Sequence, residues 1–175
     1  LMMSFNKDLI TIGDKNKAKL FMIWFHGYGS NNWSFEPMLK LVNMNVNDDM
    51  YIVMPNAKMI DNKRSWYPLP TTTNDNSEVH EDFAGFKAAM SEIVEFMVQV
   101  GIKSESKLLV GGFSQGAALS LGLCFQKEID ISGCIALSGY MPCAKEFMSN
   151  DIRCNKIFMS HGTEDNAITF ESYER

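Results

Sequence analysis

Lys107-Leu-Leu-Val-Gly-Gly-Phe-Ser-Gln-Gly-Ala-Ala-Leu-Ser-Leu, residues 107–121, decides how this chain is read. An apolar run leads into Gly112-Phe-Ser-Gln-Gly116, and a stretch of small residues follows. The order predicts a strand, a sharp turn and a helix, which is the context a G-x-S-x-G serine needs. Gly112 and Gly116 lie two residues either side of Ser114 and carry no Cβ to collide across such a turn. Ser114 Oγ is then lifted clear of the strand. A helix starting at Gln115 aims unpaired N–H groups and the positive end of its dipole at charge that develops there. The plainer reading is a turn with Ser114 as N-cap. The flanking strand and helix, and the segments described next, favour a nucleophile.

Composition sets the frame. At 175 residues the chain reads as one domain, 1–175, with 46% hydrophobic and 21% charged residues. A net charge of -5 argues against a nucleic-acid partner, which calls for a basic face. Cys124, Cys134, Cys143 and Cys154 stand far apart, without metal-ligand spacing, so no metal site is expected. No apolar stretch reaches the roughly 20 residues of a membrane span, and no leader opens the chain, so no stable membrane insertion and a cytoplasmic, reducing location are expected.

Apolar segments alternate with helical ones. Strands are predicted at Lys19–Phe25, Tyr51–Met54, 107–111, Ser132–Leu137 and Lys156–Met159, and helices at Trp33–Val42, Asp82–Val100 and 115–127. Residues 56–80, rich in Asn, Thr, Pro and Asp, read as a long loop. Strands separated by helices predict an α/β fold with a mostly parallel sheet, right-handed crossovers and helices on both faces.

Acyl transfer at a serine also needs an oxyanion hole, an acid and a base. One hole donor is the backbone N–H after the nucleophile, at Gln115. The other is expected in His26-Gly-Tyr-Gly-Ser30, directly after the first strand, with Tyr28 N–H as the donor. An ordinary turn is the alternative for that segment. The acid follows the serine in chain order, and His161-Gly-Thr-Glu-Asp165 supplies Asp165, with Glu164 as second candidate and a solvated acidic turn as the plain alternative. The base is harder to place. His26 reads as a brace for its turn, His80 as solvated, and His161 as a tie for the acid loop. No histidine follows Asp165.

These residues resemble the phospholipase/carboxylesterase family of α/β-hydrolases, which includes acyl-protein thioesterases and bacterial carboxylesterases. The resemblance runs along nearly the whole chain. It is carried by FHGYGSN at 25–31, PNA at 55–57, SWYPLP at 65–70, GFSQGAALSL at 112–121, LSGYMP at 137–142 and HGTED at 161–165. It implies Ser114 as nucleophile, Asp165 as acid, Tyr28 and Gln115 N–H groups as the oxyanion hole, and Trp66 and its neighbours at the acyl site. Leu69 and Phe113 are read with Trp66 as lining an apolar channel, against the plainer reading that they are core. Pro68 stands where the family often has an acidic residue. The resemblance also implies a last strand, a histidine-bearing loop and a closing helix after Arg175.

A serine hydrolase of carboxylic esters or thioesters is therefore expected, with no metal or cofactor. Its substrate would be a small ester, a lysophospholipid or an S-acylated protein. The alternatives are an inactive fragment or acyl-binding remnant lacking the histidine, and a dienelactone-type hydrolase, against which Ser114 in place of cysteine speaks. The 175 residues alone are expected to be nearly inactive and to self-associate through an uncovered sheet edge.

Overall fold

The computed structural model describes residues 5, 7–102 and 106–165. Its centre is a six-stranded sheet built from β1 (Ile10–Ile12), β2 (Leu20–Phe25), β3 (Met50–Met54), β8 (Lys107–Phe113), β9 (Gly133–Leu137) and β10 (Ile157–Ser160), in the order β1-β3-β2-β8-β9-β10. Only β1 runs antiparallel to its neighbour; the pairings from β3 to β10 are parallel. Between β3 and β8 lie two small hairpins, β4 (Lys58–Ile60) with β5 (Lys63–Ser65), and β6 (Thr71–Thr72) with β7 (Val79–His80). The helices are α1 (Glu36–Asn45), α2 (Phe83–Gln99), α3 (Gln115–Leu123) and the short α4 (Ala144–Phe147). This is the expected α/β architecture.

The continuous apolar strands follow from burial on both faces. In β2, Ile23 and Phe25 join one core with Phe86, Ile93 and Phe96 of α2 and Leu119 of α3. Met22 and Trp24 point the other way and join Ile52, Met54 and Leu39 of α1. The period of two in the strands thus sorts one apolar run into two cores. All nine residues of α3 are buried, which explains why its sequence is mostly apolar and small rather than amphipathic. Asp82 caps α2 by accepting a hydrogen bond from Gly85 N–H at 2.8 Å, and Gly101 at φ +77 ends it.

Four details depart from the sequence expectation. The strand β1 goes unpredicted because Ile-Thr-Ile is too short to show a pattern. The helix expected at Trp33–Val42 lies about one turn later. Residues 31–34 form a turn in which Ser34 Oγ donates to Asn31 O at 2.7 Å, and Pro37 sits in the first turn of α1. The long loop 56–80 contains both hairpins; β4 and β5 join through Asp61 and Asn62 at φ 49 and 63, the left-handed pair of a tight hairpin turn. Finally, α3 stops at Leu123. The N–H groups of Cys124, Phe125 and Gln126 bond to carbonyls three residues back, which tightens the last turn.

Because β2, β8, β9 and β10 are parallel, their C-terminal ends share one edge. Phe25 pairs with Gly112, Phe113 with Leu137, and Leu137 with Ser160. Open α/β sheets bind ligands outside this edge. Here the chain packs so tightly that a Cβ on Gly116 would collide with the Phe25 carbonyl oxygen and lie 2.6 Å from that of His26. Gly116→Ala is therefore expected to destabilise the protein by about 3 kcal/mol or more, a severe case of overpacking against backbone. Gly162→Ala, where the added methyl meets nothing within 4 Å, should stay within about 0.5 kcal/mol. Urea unfolding of both variants checks the contrast.

Candidate active site

Ser114 links β8 to α3 with φ 53 and ψ -115. A non-glycine residue held there costs on the order of 1–3 kcal/mol and persists only where its surroundings enforce it. The enforcement is visible. Ser114 N–H donates to Leu137 O at 2.8 Å, and Ser114 O accepts from Ala118 N–H at 3.0 Å. A Cβ on Gly112 would lie 2.5 Å from both the Gly116 carbonyl carbon and the Phe25 oxygen, so the crossing point admits only glycine. As the first residue of α3, Gln115 carries a backbone N–H with no acceptor inside the helix.

The turn after β2 lies directly against this elbow. A Cβ on Gly27 would sit 3.3 Å from Phe113 Cδ1 and 3.6 Å from Ser114 Cβ. The turn closes through Ser30 N–H to Gly27 O at 3.1 Å and is tethered by Gly29 N–H to Arg64 O at 2.8 Å. His26 braces it from beneath. Its Nε2 accepts from Ala57 N–H at 3.0 Å, so Nδ1 carries the proton and donates to Gly27 O at 2.7 Å. Burial holds the His26 pKa down to about 4; the Gly27 bond opposes this, and the nearby Arg64 guanidinium adds to it. The turn that carries Tyr28 thus packs, at Gly27, against Ser114, the residue before Gln115.

The candidate acid stands on the same edge, one strand further than β9. Ser138 N–H donates to Ser160 O at 2.7 Å, and the loop that follows carries His161 and Asp165. With two strand spacings of about 4.8 Å each, this loop begins roughly 10 Å from the elbow. Asp165 N–H donates to Gly162 O at 3.2 Å. His161 Nε2 is 3.7 Å from Asp165 Oδ2, with the imidazole fully buried. Glu164 is exposed. His80 lies on an exposed hairpin beside Glu78 at 3.5 Å.

The three residues expected to line a channel occupy different settings. The Trp66 ring is buried 5.1 Å from Phe25 and 5.0 Å from His26, and its Nε1–H donates to His26 O at 2.7 Å. Phe113 is half-exposed beside Phe35 at 5.5 Å. Leu69 is exposed. Sequence reasoning missed the polar network behind them. Gln115 Oε1 accepts from Trp66 N–H at 3.0 Å, and Nε2 donates to Ser65 Oγ at 2.9 Å and to Tyr67 O at 3.0 Å. Tyr67 and Tyr140 meet through their hydroxyls at 2.7 Å. A signal was present: a glutamine opening a largely apolar helix must find partners once buried.

The His26 geometry fixes a pH dependence. Unfolding releases a histidine of ordinary pKa 6.5 from a site where it is about 4, so the unfolded chain binds more protons between these values. Stability is full above pH 6.5 and falls as pH drops, by about 3 kcal/mol at pH 4 from this group. In His26→Asn, whose side chain does not titrate, that part of the acid sensitivity should vanish in urea titrations run from pH 7 to 4.

The sequence pattern of the phospholipase/carboxylesterase family matches residues 6–175. Acyl-protein thioesterase 1 of Candida albicans is 31% identical, over 89% of this chain and 74% of its own length. Acyl-protein thioesterase 1 homolog 1 of Dictyostelium discoideum is 28% identical, over 84% of this chain and 69% of its own. Among solved structures, acyl-protein thioesterase 2 of Zea mays superposes with a TM-score of 0.78 at 20% identity, covering 95% of this chain and 80% of that one. The Bacillus cereus carboxylesterase gives 0.75 at 16%, covering 95% and 75%. With its α/β-hydrolase fold, the chain belongs to the phospholipase/carboxylesterase family, a family of ester and thioester hydrolases.

Proposed function

We propose that this protein hydrolyses carboxylic esters or thioesters through an acyl-enzyme on Ser114. The observation that carries the reading is the Ser114 backbone at φ 53 and ψ -115, set between two glycines and against the Gly27–Tyr28 turn. Strain of this kind is kept where it serves a site. Ser114 Oγ attacks the acyl carbon while an imidazole oriented by Asp165 accepts its proton. The carbonyl oxygen becomes an oxyanion facing the N–H groups of Tyr28 and Gln115. The imidazole then protonates the departing alcohol or thiol, and water clears the acyl group by the same steps in reverse. His26 is unsuited as the base, because both its ring nitrogens are already bonded, Nδ1 to Gly27 O and Nε2 to the Ala57 N–H.

The names of the relatives support S-acylated proteins as a substrate class, beside small esters and lysophospholipids. Phe113 and Leu69, both partly exposed near the elbow segment and the 65–67 segment, are proposed to meet the acyl chain, with Trp66 behind them as support. Free thiols at all four cysteines fit a reducing, cytoplasmic location. Among the described residues no helix is long and apolar enough to cross a membrane.

Kinetics on the protein expressed from its complete reading frame tests the assignment. Ser114→Ala should abolish both ester turnover and labelling by a fluorophosphonate. Asp165→Asn should lower kcat by about three to four orders of magnitude, and Glu164→Gln far less. The reverse ranking moves the acid to Glu164, and robust turnover by the alanine variant refutes the nucleophile. Residues 1–175 expressed alone should turn over 4-nitrophenyl butyrate close to the background rate. Activity of that chain which His161→Gln removes would make His161 the base.

A further inference from the structure

We propose that the Gln115 side chain is a positioning residue that sets the separation of the two oxyanion donors by clamping the 65–67 segment. This rests on the reading of Ser114 as nucleophile and of the Tyr28 and Gln115 N–H groups as the oxyanion hole. The geometry forms a closed circuit. Gln115 is 2% exposed, and its amide is bonded to Ser65, Trp66 and Tyr67. Arg64, just before this segment, and Trp66, within it, hold the oxyanion turn on both sides of Tyr28. On one side Trp66 Nε1–H donates to His26 O at 2.7 Å. On the other, Arg64 O accepts from Gly29 N–H at 2.8 Å. The circuit closes where Gly27 packs on Phe113 and Ser114.

The bonds of the Gln115 amide and of Trp66 Nε1 are buried, and leaving a buried partner unsatisfied costs about 1–3 kcal/mol. The amide of Gln115 therefore has one orientation. Its own backbone N–H shares the same Cα, so the clamp holds one donor directly and the other through residues 64–66. An apolar side chain would fill the same volume without desolvating an amide. What the glutamine adds is a fixed distance between two N–H groups that come from separate loops. Such donors act only if they are aimed before the oxyanion forms.

The test compares Gln115→Met, which keeps the bulk, with Ser65→Ala and the double variant, in the protein expressed from its complete reading frame. Turnover of 4-nitrophenyl butyrate, phosphonylation rate by a fluorophosphonate, and Tm are measured. Gln115→Met should lower kcat roughly 30- to 100-fold, below the loss of a whole oxyanion donor, with KM changed less than about threefold. The phosphonylation rate should fall by a similar factor. Ser65→Ala should lower kcat by about three- to tenfold, and the double variant should be no worse than Gln115→Met, as expected of residues acting as a unit. A lowered Tm with kcat unchanged, a rise in KM alone, or multiplicative losses in the double variant would each overturn the proposal. Should Gln115→Met fail to fold, Ser65→Ala decides alone: an unchanged kcat refutes the clamp. Turnover by Ser114→Ala would instead refute the underlying reading, whatever Gln115 does.

Discussion

The structure depends on a crossing of three backbones at the end of the sheet. The Phe25 carbonyl of β2 touches the points where Gly112 and Gly116 would each carry a Cβ. That approach lets the chain leave β8, reverse through Ser114 at φ 53 and enter α3 within two residues. A methyl at either glycine would push β2 from β8 or α3 from the sheet. The strain in Ser114 is maintained by burial around it: Ala117, Ala118 and Leu119 are wholly inaccessible, and burying a side chain such as Leu119 contributes about 2–3 kcal/mol. The core offsets the cost of the strained serine.

Around that crossing the protein solves a second problem, which is to hold loops from distant parts of the sequence in register. Polar groups do this from inside. His26 is kept neutral, with one nitrogen donating and the other accepting. Gln115 satisfies both ends of its amide on three consecutive residues. The Tyr67 phenol, pushed well above its ordinary pKa by burial, remains a neutral partner for Tyr140. None of these groups carries a charge near neutral pH, so the network gains geometric definition without burying an ion. The turn bearing Tyr28, the 65–67 segment, the elbow and the loop after β9 are thereby linked into one rim.

Much of this was legible in the sequence. Glycines around Ser114, apolar runs of strand length and the amphipathic pattern of Phe83–Gln99 state their structure locally, because sterics and periodicity act over a few residues. The bracing role of His26 could also be anticipated from its place beside Tyr28. The hidden features are those whose cause is distant. Ile10–Ile12 becomes a strand only because β3 offers it an edge. Lys58–Ser65 folds back on itself through Asp61 and Asn62 inside a stretch whose composition suggests only loop. The partners of Gln115 lie 48 to 50 residues away, beyond any periodicity, and only its polarity at the start of a largely apolar helix hinted at them.

The central claim is that Ser114, Tyr28 and Gln115 form a preorganised site for a tetrahedral oxyanion. A crystal structure of the protein after reaction with a fluorophosphonate tests it most directly. The account predicts a phosphonyl group on Ser114 Oγ, with its free oxygen within about 2.7–3.1 Å of both the Tyr28 and Gln115 nitrogens. It also predicts the Gln115 amide still bonded to residues 65–67. An adduct on another residue, or a phosphonyl oxygen turned away from these two nitrogens into solvent, would contradict it.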